Sequence, residues 1–125
     1  MKTLLILRGL PGAGKSTLAS ALGGIVCTAD DYHELNGGFS ISNLKKSHAW
    51  CLDKARNAME SGEALVIVAN TSTGAWEFSG YIAEAAKNGY MVHTVIVENR
   101  HGSKSVHGVP SSKVAEMRQR FEITL

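Results

Sequence analysis

The chain carries one octapeptide whose residue types and spacing could do phosphate chemistry. Gly9-Leu10-Pro11-Gly12-Ala13-Gly14-Lys15-Ser16 matches G-x-x-x-x-G-K-[ST] at every fixed position. The glycines Gly9, Gly12 and Gly14 let main-chain N–H groups turn inward around an anion, and a following helix adds the positive end of its dipole. Lys15 would reach the β- and γ-phosphates, and the Ser16 hydroxyl would hold Mg²⁺. Pro11, Ala13 and Thr17 complete the loop and its exit. The expected ligand is the triphosphate of ATP or GTP. A chance glycine-rich turn is the alternative, and it gives no reason for the strand before the loop or the helix after it.

A second chemical signal is the pair Asp30-Asp31, directly after Ile25-Val26-Cys27-Thr28. One carboxylate there can accept the proton of an attacking hydroxyl as its oxygen bonds to phosphorus. The other could cap the turn or bind Mg²⁺ through water. Both could equally be turn and cap residues, a common use of Asp.

The elements that must position these groups follow from pattern. Apolar runs at Thr3 to Leu7, Ile25 to Thr28, Ala64 to Ala69 and Tyr90 to Val97 read as strands, and the third is apolar throughout, as in a strand covered on both faces. Helical segments are expected over 16–22, about 42–61, from a cap at Ser72 or Thr73 to about Asn88, and from Pro110-Ser111-Ser112 to about Phe121. The long helix shows Leu44, Ala49, Leu52, Ala55 and Met59 on one face. Gly23-Gly24, Gly62 and Gly89 are stop signals, and Asn36-Gly37-Gly38 is a turn.

Strands alternating with helices imply parallel pairing through right-handed crossovers. The expected fold is a three-layer α/β/α sandwich with about four parallel strands. Ligands in such sheets bind beyond the carboxyl ends of the strands. Three segments end there: Arg8-Gly9, Thr28 to Asp31, and Asn70-Thr71.

The 125 residues suit a single domain over 1–125. With 44% hydrophobic and 19% charged residues, the composition is that of a globular chain and argues against disorder. The net charge of +2 is too small to argue for nucleic acid by itself. Cys27 and Cys51 lack metal-site spacing and read as free thiols in a reducing compartment. The apolar start ends at Arg8, too short for the apolar region of about 7–15 residues in a signal peptide. No run approaches the roughly 18 apolar residues of a membrane span. A cytoplasmic protein is expected, with no membrane partner.

The motifs also resemble a known family. Gly9 to Ala19, then Asp30-Asp31-Tyr32, is similar to the kinase domain of bacteriophage polynucleotide 5′-kinases and their phosphate-loop relatives. Val66-Ile67-Val68-Ala69-Asn70-Thr71 resembles that family's third-strand motif. Val106-His107-Gly108-Val109-Pro110, then Val114 and Met117, resembles its lid and following helix. The segment His48-Ala49-Trp50-Cys51 with Ala55 to Ala58 resembles eukaryotic members. The likeness spans nearly the whole chain in order.

That resemblance implies Asp30 as general base, Lys15 on the phosphates and Ser16 on Mg²⁺. Three positions depart from it. His33 stands where phage members carry an Arg that grips the acceptor's 3′-phosphate. Asn70 stands where the third strand ends in Asp. Lys104 stands where the lid carries an Arg on the donor phosphates, and Arg100 is the alternative lid cation. An ammonium supplies charge without the bidentate fork. Asp31, Tyr32, His33, Asn70 and Thr71 are the expected acceptor-side residues, with Tyr32 beside the base lining the site.

Other features carry less. His101 and His107 lack a third ligand at metal spacing. Lys45, Lys46, Lys54 and Arg56 read first as a solvated helix face, and Arg118 and Arg120 likewise. Trp50 and Trp76 could stack bases but more often pack. The expectation is an ATP-dependent kinase transferring the γ-phosphate to a hydroxyl, foremost the 5′-hydroxyl of a polynucleotide. A small-molecule kinase for a nucleoside, nucleotide or sugar is the first alternative. A nucleotide-binding module or weak NTPase is the second, and a minimal domain that closes only with a partner chain is the third.

Overall fold

A computed structural model describes residues 1–72, 74–98 and 111–121. Four parallel strands form one sheet: β1 (Thr3–Arg8), β2 (Ile25–Cys27), β3 (Leu65–Ala69) and β4 (Met91–Ile96), in the order β2-β3-β1-β4. β1 sits centrally, pairing Leu4 with Val66 on one side and with Val92 on the other. The helices are α1 (Lys15–Leu22), α2 (Ala29–Leu35), α3 (Leu44–Glu60), α4 (Ala75–Asn88) and α5 (Ser111–Arg120). A single 3₁₀ turn, Ile41–Asn43, leads into α3.

Strand side chains alternate between faces. Leu4 and Ile6 of β1, with Val66 and Val68 of β3, face α3 and α4 and meet Cys51, Ala55, Met59, Phe78 and Ala85 in the larger core. Leu7, Ile67 and Ala69 face the other way and pack on Ala19 of α1. The sheet is therefore the middle of three layers. Each large side chain buried fully, such as Leu4 or Met59, contributes about 1.5–3 kcal/mol. All four strands point their carboxyl ends toward the same edge. There Val97 N–H donates to the Arg8 carbonyl at 2.7 Å and Gly9 N–H to the Thr71 carbonyl at 3.1 Å, tying three strand ends together.

Three expectations need correction. Asp30-Asp31 lie not in a turn but in the first turn of α2, a helix the sequence pattern did not announce. Thr28 is its cap: the backbone there is extended, and Oγ1 accepts from Asp30 N–H at 3.2 Å. Two carboxylates in the first turn also suit the helix dipole.

The cap of α4 is Gly74, without a side-chain bond, and not Ser72; Thr73 lies outside the described residues. The buried stripe of α3 is Ser47, Cys51, Ala55, Ala58 and Met59. Ala49 is exposed and Leu44 and Leu52 are half-buried. Ser47 can go inside because its hydroxyl donates to the Leu44 carbonyl at 2.7 Å.

Candidate active site

The loop after β1 is shaped by two glycines with different reasons to be glycine. A Cβ at Gly9 would lie 2.6 Å from the Val97 carbonyl oxygen, so β4 leaves no room for a side chain. Gly14 caps α1 in the left-handed region, φ +105°, with open space around it. No side chain caps the first turn of α1. Its leading amides are thus available to an anion, with Ser16 and Thr17 exposed beside them.

Lys15 is held by the loop itself. Its ammonium donates to the carbonyls of Gly9 at 2.6 Å and Leu10 at 3.1 Å. Burial lowers its pKa to about 8, against an opposing pull from the Asp30 carboxylate. A buried ammonium that its own carbonyls satisfy only in part is suited to accept phosphate oxygens in exchange.

Asp30 is half-buried and lines the same cavity as Lys15, a space of about 1110 Å³ bounded by the phosphate loop, α2, α3, α4 and α5. Asn70 sets the position of α2. Its Oδ1 accepts from Ala29 N–H at 2.9 Å, and its Nδ2 donates to Cys51 Sγ at 3.6 Å. The strand end, the α2 start and α3 are joined by that one amide. Cys27 and Cys51 are both free and buried, and burial pushes the Cys27 thiol up to about 12. Such thiols pack rather than react.

The remaining acceptor-side residues divide. Thr71 lines the cavity half-buried. Asp31 and Tyr32 are half-buried on α2 and do not line it. His33 touches it but is only 4% exposed. Its ring lies 5.1 Å from that of Phe39 and edge-on to Tyr32 at 6.2 Å, and its Nδ1 has no hydrogen-bond partner among the described residues. Trp50 is half-buried against the larger core and tilted over Tyr32 at 6.0 Å, so it packs. Lys104, Arg100, His101 and His107 lie outside the described residues.

One residue at this edge went unread in the sequence except as the end of a strand. Arg8 is fully buried. Its Nε donates to the Ser72 carbonyl at 2.8 Å, and its guanidinium lies 4.8 Å from the Phe78 ring and 5.0 Å from the Phe121 ring. Ser72 itself adopts φ +48°, a left-handed conformation uncommon for serine. The signal was parity: Arg8 continues the Leu4–Ile6 face, which points at α4. It clamps the end of α5 to the back of the site.

Among the described residues no group of three or more His, Cys, Asp or Glu is arranged to hold a metal, and no helix is long and apolar enough to cross a membrane. The donor set at the loop, one exposed hydroxyl at Ser16, fits a magnesium ion carried in on phosphate oxygens and retaining most of its waters.

A glycine-framed loop between β1 and α1, at the carboxyl edge of a parallel sheet, defines a phosphate-loop kinase-like α/β fold. The chain belongs to the AAA domain family, which it matches over residues 4–123. It is 32% identical to human NEDD4-binding protein 2 over 95% of this chain, and it spans 8% of that protein's length. It superimposes on a chain of the Pnkp1/Rnl/Hen1 RNA repair complex with a TM-score of 0.63 and 17% identity, covering 98% of this chain and 39% of that one. A gluconokinase from Sinorhizobium meliloti shares the fold with a TM-score of 0.60 and 15% identity, covering 96% and 75%.

Proposed function

We propose that this domain is a kinase that transfers the γ-phosphate of ATP to a hydroxyl, foremost the 5′-hydroxyl of a polynucleotide. The observation that carries the reading is the meeting of Lys15 and Asp30 on one cavity, close enough that the carboxylate pulls on the ammonium. Phosphoryl transfer needs little covalent chemistry from a protein. It needs positioning and charge stabilisation around the moving group.

The parts divide accordingly. The loop amides of Gly12 to Ser16 and the Lys15 ammonium hold the donor phosphates, with Thr17 beside them. Magnesium on Ser16 would neutralise developing negative charge. The Asp30 carboxylate orients the acceptor hydroxyl and takes its proton as the oxygen bonds to phosphorus and ADP leaves. Lys104, or Arg100, would supply a further cation to stabilise the transferring group. Asp31, Tyr32, His33, Asn70 and Thr71 shape the acceptor side, Asn70 by fixing α2. The ordered motif resemblance and the fold shared with a chain of an RNA repair complex support a strand end as acceptor.

A small-molecule acceptor is the second reading. It is favoured by the burial of His33, which leaves α2 without an exposed cation at that position, and by the fold shared with a gluconokinase.

The test is transfer of labelled γ-phosphate to a 5′-hydroxyl oligonucleotide and to a panel of small hydroxyl acceptors. Asp30→Asn should lower transfer by about 10²–10⁴-fold with ATP binding retained. Unchanged transfer in that variant would remove Asp30 from the role, and ATP hydrolysis without any phosphorylated product would remove the kinase reading.

A further inference from the structure

The cavity does not stop at Asp30. Its far wall is built by α3 and α4, and the basic residues of α3 are not equivalent there. Lys45 lines the cavity; Lys46, its neighbour, does not. Lys54 lies 5.7 Å above the Trp50 ring, and Arg56 is held by Asp53 at 2.6 Å and Glu84 at 3.2 Å. Three residues on from Lys45, and therefore on the same helical face, His48 lines the same wall. The reading of α3 as a uniformly solvated basic face is thus too coarse.

α4 continues that wall. Glu77 faces in, with Arg120 of α5 3.9 Å away to offset its charge. Beside it the wall is bare backbone at Gly80. Gly80 sits inside a helix, where glycine is a poor choice. A Cβ there would meet only the Leu52 side chain, Cδ2 at 3.5 Å and Cδ1 at 3.9 Å, both ordinary contacts, so packing does not require glycine. Leu52 of α3 therefore lies against α4 at this point, where the two helices join.

We propose that Lys45 and His48 anchor an anionic group of the acceptor. The acceptor is then a phosphate-bearing strand end whose 5′-hydroxyl is delivered to Asp30. This rests on the kinase reading above and moves anion recognition from α2, where His33 is buried, to α3.

The experiment is steady-state transfer from ATP to a 5′-hydroxyl oligonucleotide, varying each substrate. The double variant Lys45→Ala/His48→Ala should raise the acceptor KM about tenfold or more. Its kcat and its KM for ATP should stay within about twofold. Lys46→Ala, one residue away but off the cavity, should behave as wild type. The double variant replaces exposed residues and should keep the wild-type thermal midpoint, which separates lost recognition from lost folding.

The proposal is overturned if the double variant matches Lys46→Ala, or if its loss lies in kcat or in the KM for ATP. Wild-type protein that phosphorylates small polyols but no oligonucleotide would instead remove the polynucleotide reading beneath it. An effect missing only from the variants removes the α3 assignment and leaves that reading standing.

Discussion

Around Gly9–Ser16 the positioning is done by main chain: a left-handed Gly14, a Gly9 wedged against Val97, and loop carbonyls that hold Lys15. Around Asp30 it is done by side chains: Thr28 caps α2 and Asn70 ties its first amide to β3 and α3. The two walls face the same cavity. One is rigid because few conformations fit a tight loop, the other because several side chains must agree. A backbone device tolerates no change of residue at a few positions. A side-chain device can be rebuilt with different residues.

The largest expected effect comes from Lys15. Lys15→Met should lower phosphoryl transfer by about 10²–10³-fold or more, the usual cost of losing a preorganised charge at the reacting group. Yet the fold should become more stable, because a buried ammonium is removed. Transfer assays and thermal melts on one sample read both. A variant that lost activity and stability together would mean that the lysine serves the fold.

The loop glycines come next and sharpen the contrast within the donor wall. Gly9→Ala puts a methyl 2.6 Å from the Val97 carbonyl oxygen, in a residue whose N–H is bonded to Arg8, so the ends of β1 or β4 must shift. A loss of about 2–3 kcal/mol in urea unfolding is expected. Gly14→Ala meets no atoms and carries only the cost of its positive φ, about 1–2 kcal/mol. Equal losses would show that steric approach and backbone strain cannot be told apart here.

The loop between β1 and α1 was legible in the sequence because its shape is spelled by residues at fixed spacing. The four strands were legible for a similar reason, as apolar runs need no partner to be recognised. α2 was not. Seven residues with two aspartates after a short strand carry no helical pattern, and only Thr28 followed by acidic residues hinted at a capped helix. The roles of Asn70 and His33 were hidden more deeply. Asn70 matters through an amide 41 residues away, and His33 is covered by Phe39 from beyond a turn. No local pattern records such returns. The face of α3 was misjudged because Ser47 satisfies its own hydroxyl and Ala49 borders a cavity.

The acceptor wall can be broken through Asn70. Asn70→Ala leaves the Ala29 amide without its partner, at a cost of about 1–3 kcal/mol. Asn70→Asp keeps an acceptor for that amide but cannot donate to Cys51, so it should recover part of the loss. In both variants the affinity for ATP should hold while the acceptor KM and kcat change. Weakened ATP binding in either would join the two walls into one unit.

The smallest effect is a pH dependence, and its sign follows from Lys15. Unfolded, this lysine keeps its proton to about pH 10.5; folded and without ligand, only to about pH 8. Between those values the unfolded chain holds more protons, so stability rises with pH across that window, and the cost of burying the ammonium is present in full below it. A triphosphate reverses the balance, because its negative charge favours the ammonium and draws the folded pKa back up. Binding above pH 8 must then take up a proton, and affinity for ATP should fall by up to about tenfold from pH 8 to pH 9. Calorimetry at pH 8.5 in two buffers of different ionisation enthalpy reads that uptake directly. Lys15→Met should abolish it, whereas Asn70→Ala, on the other wall, should leave it unchanged.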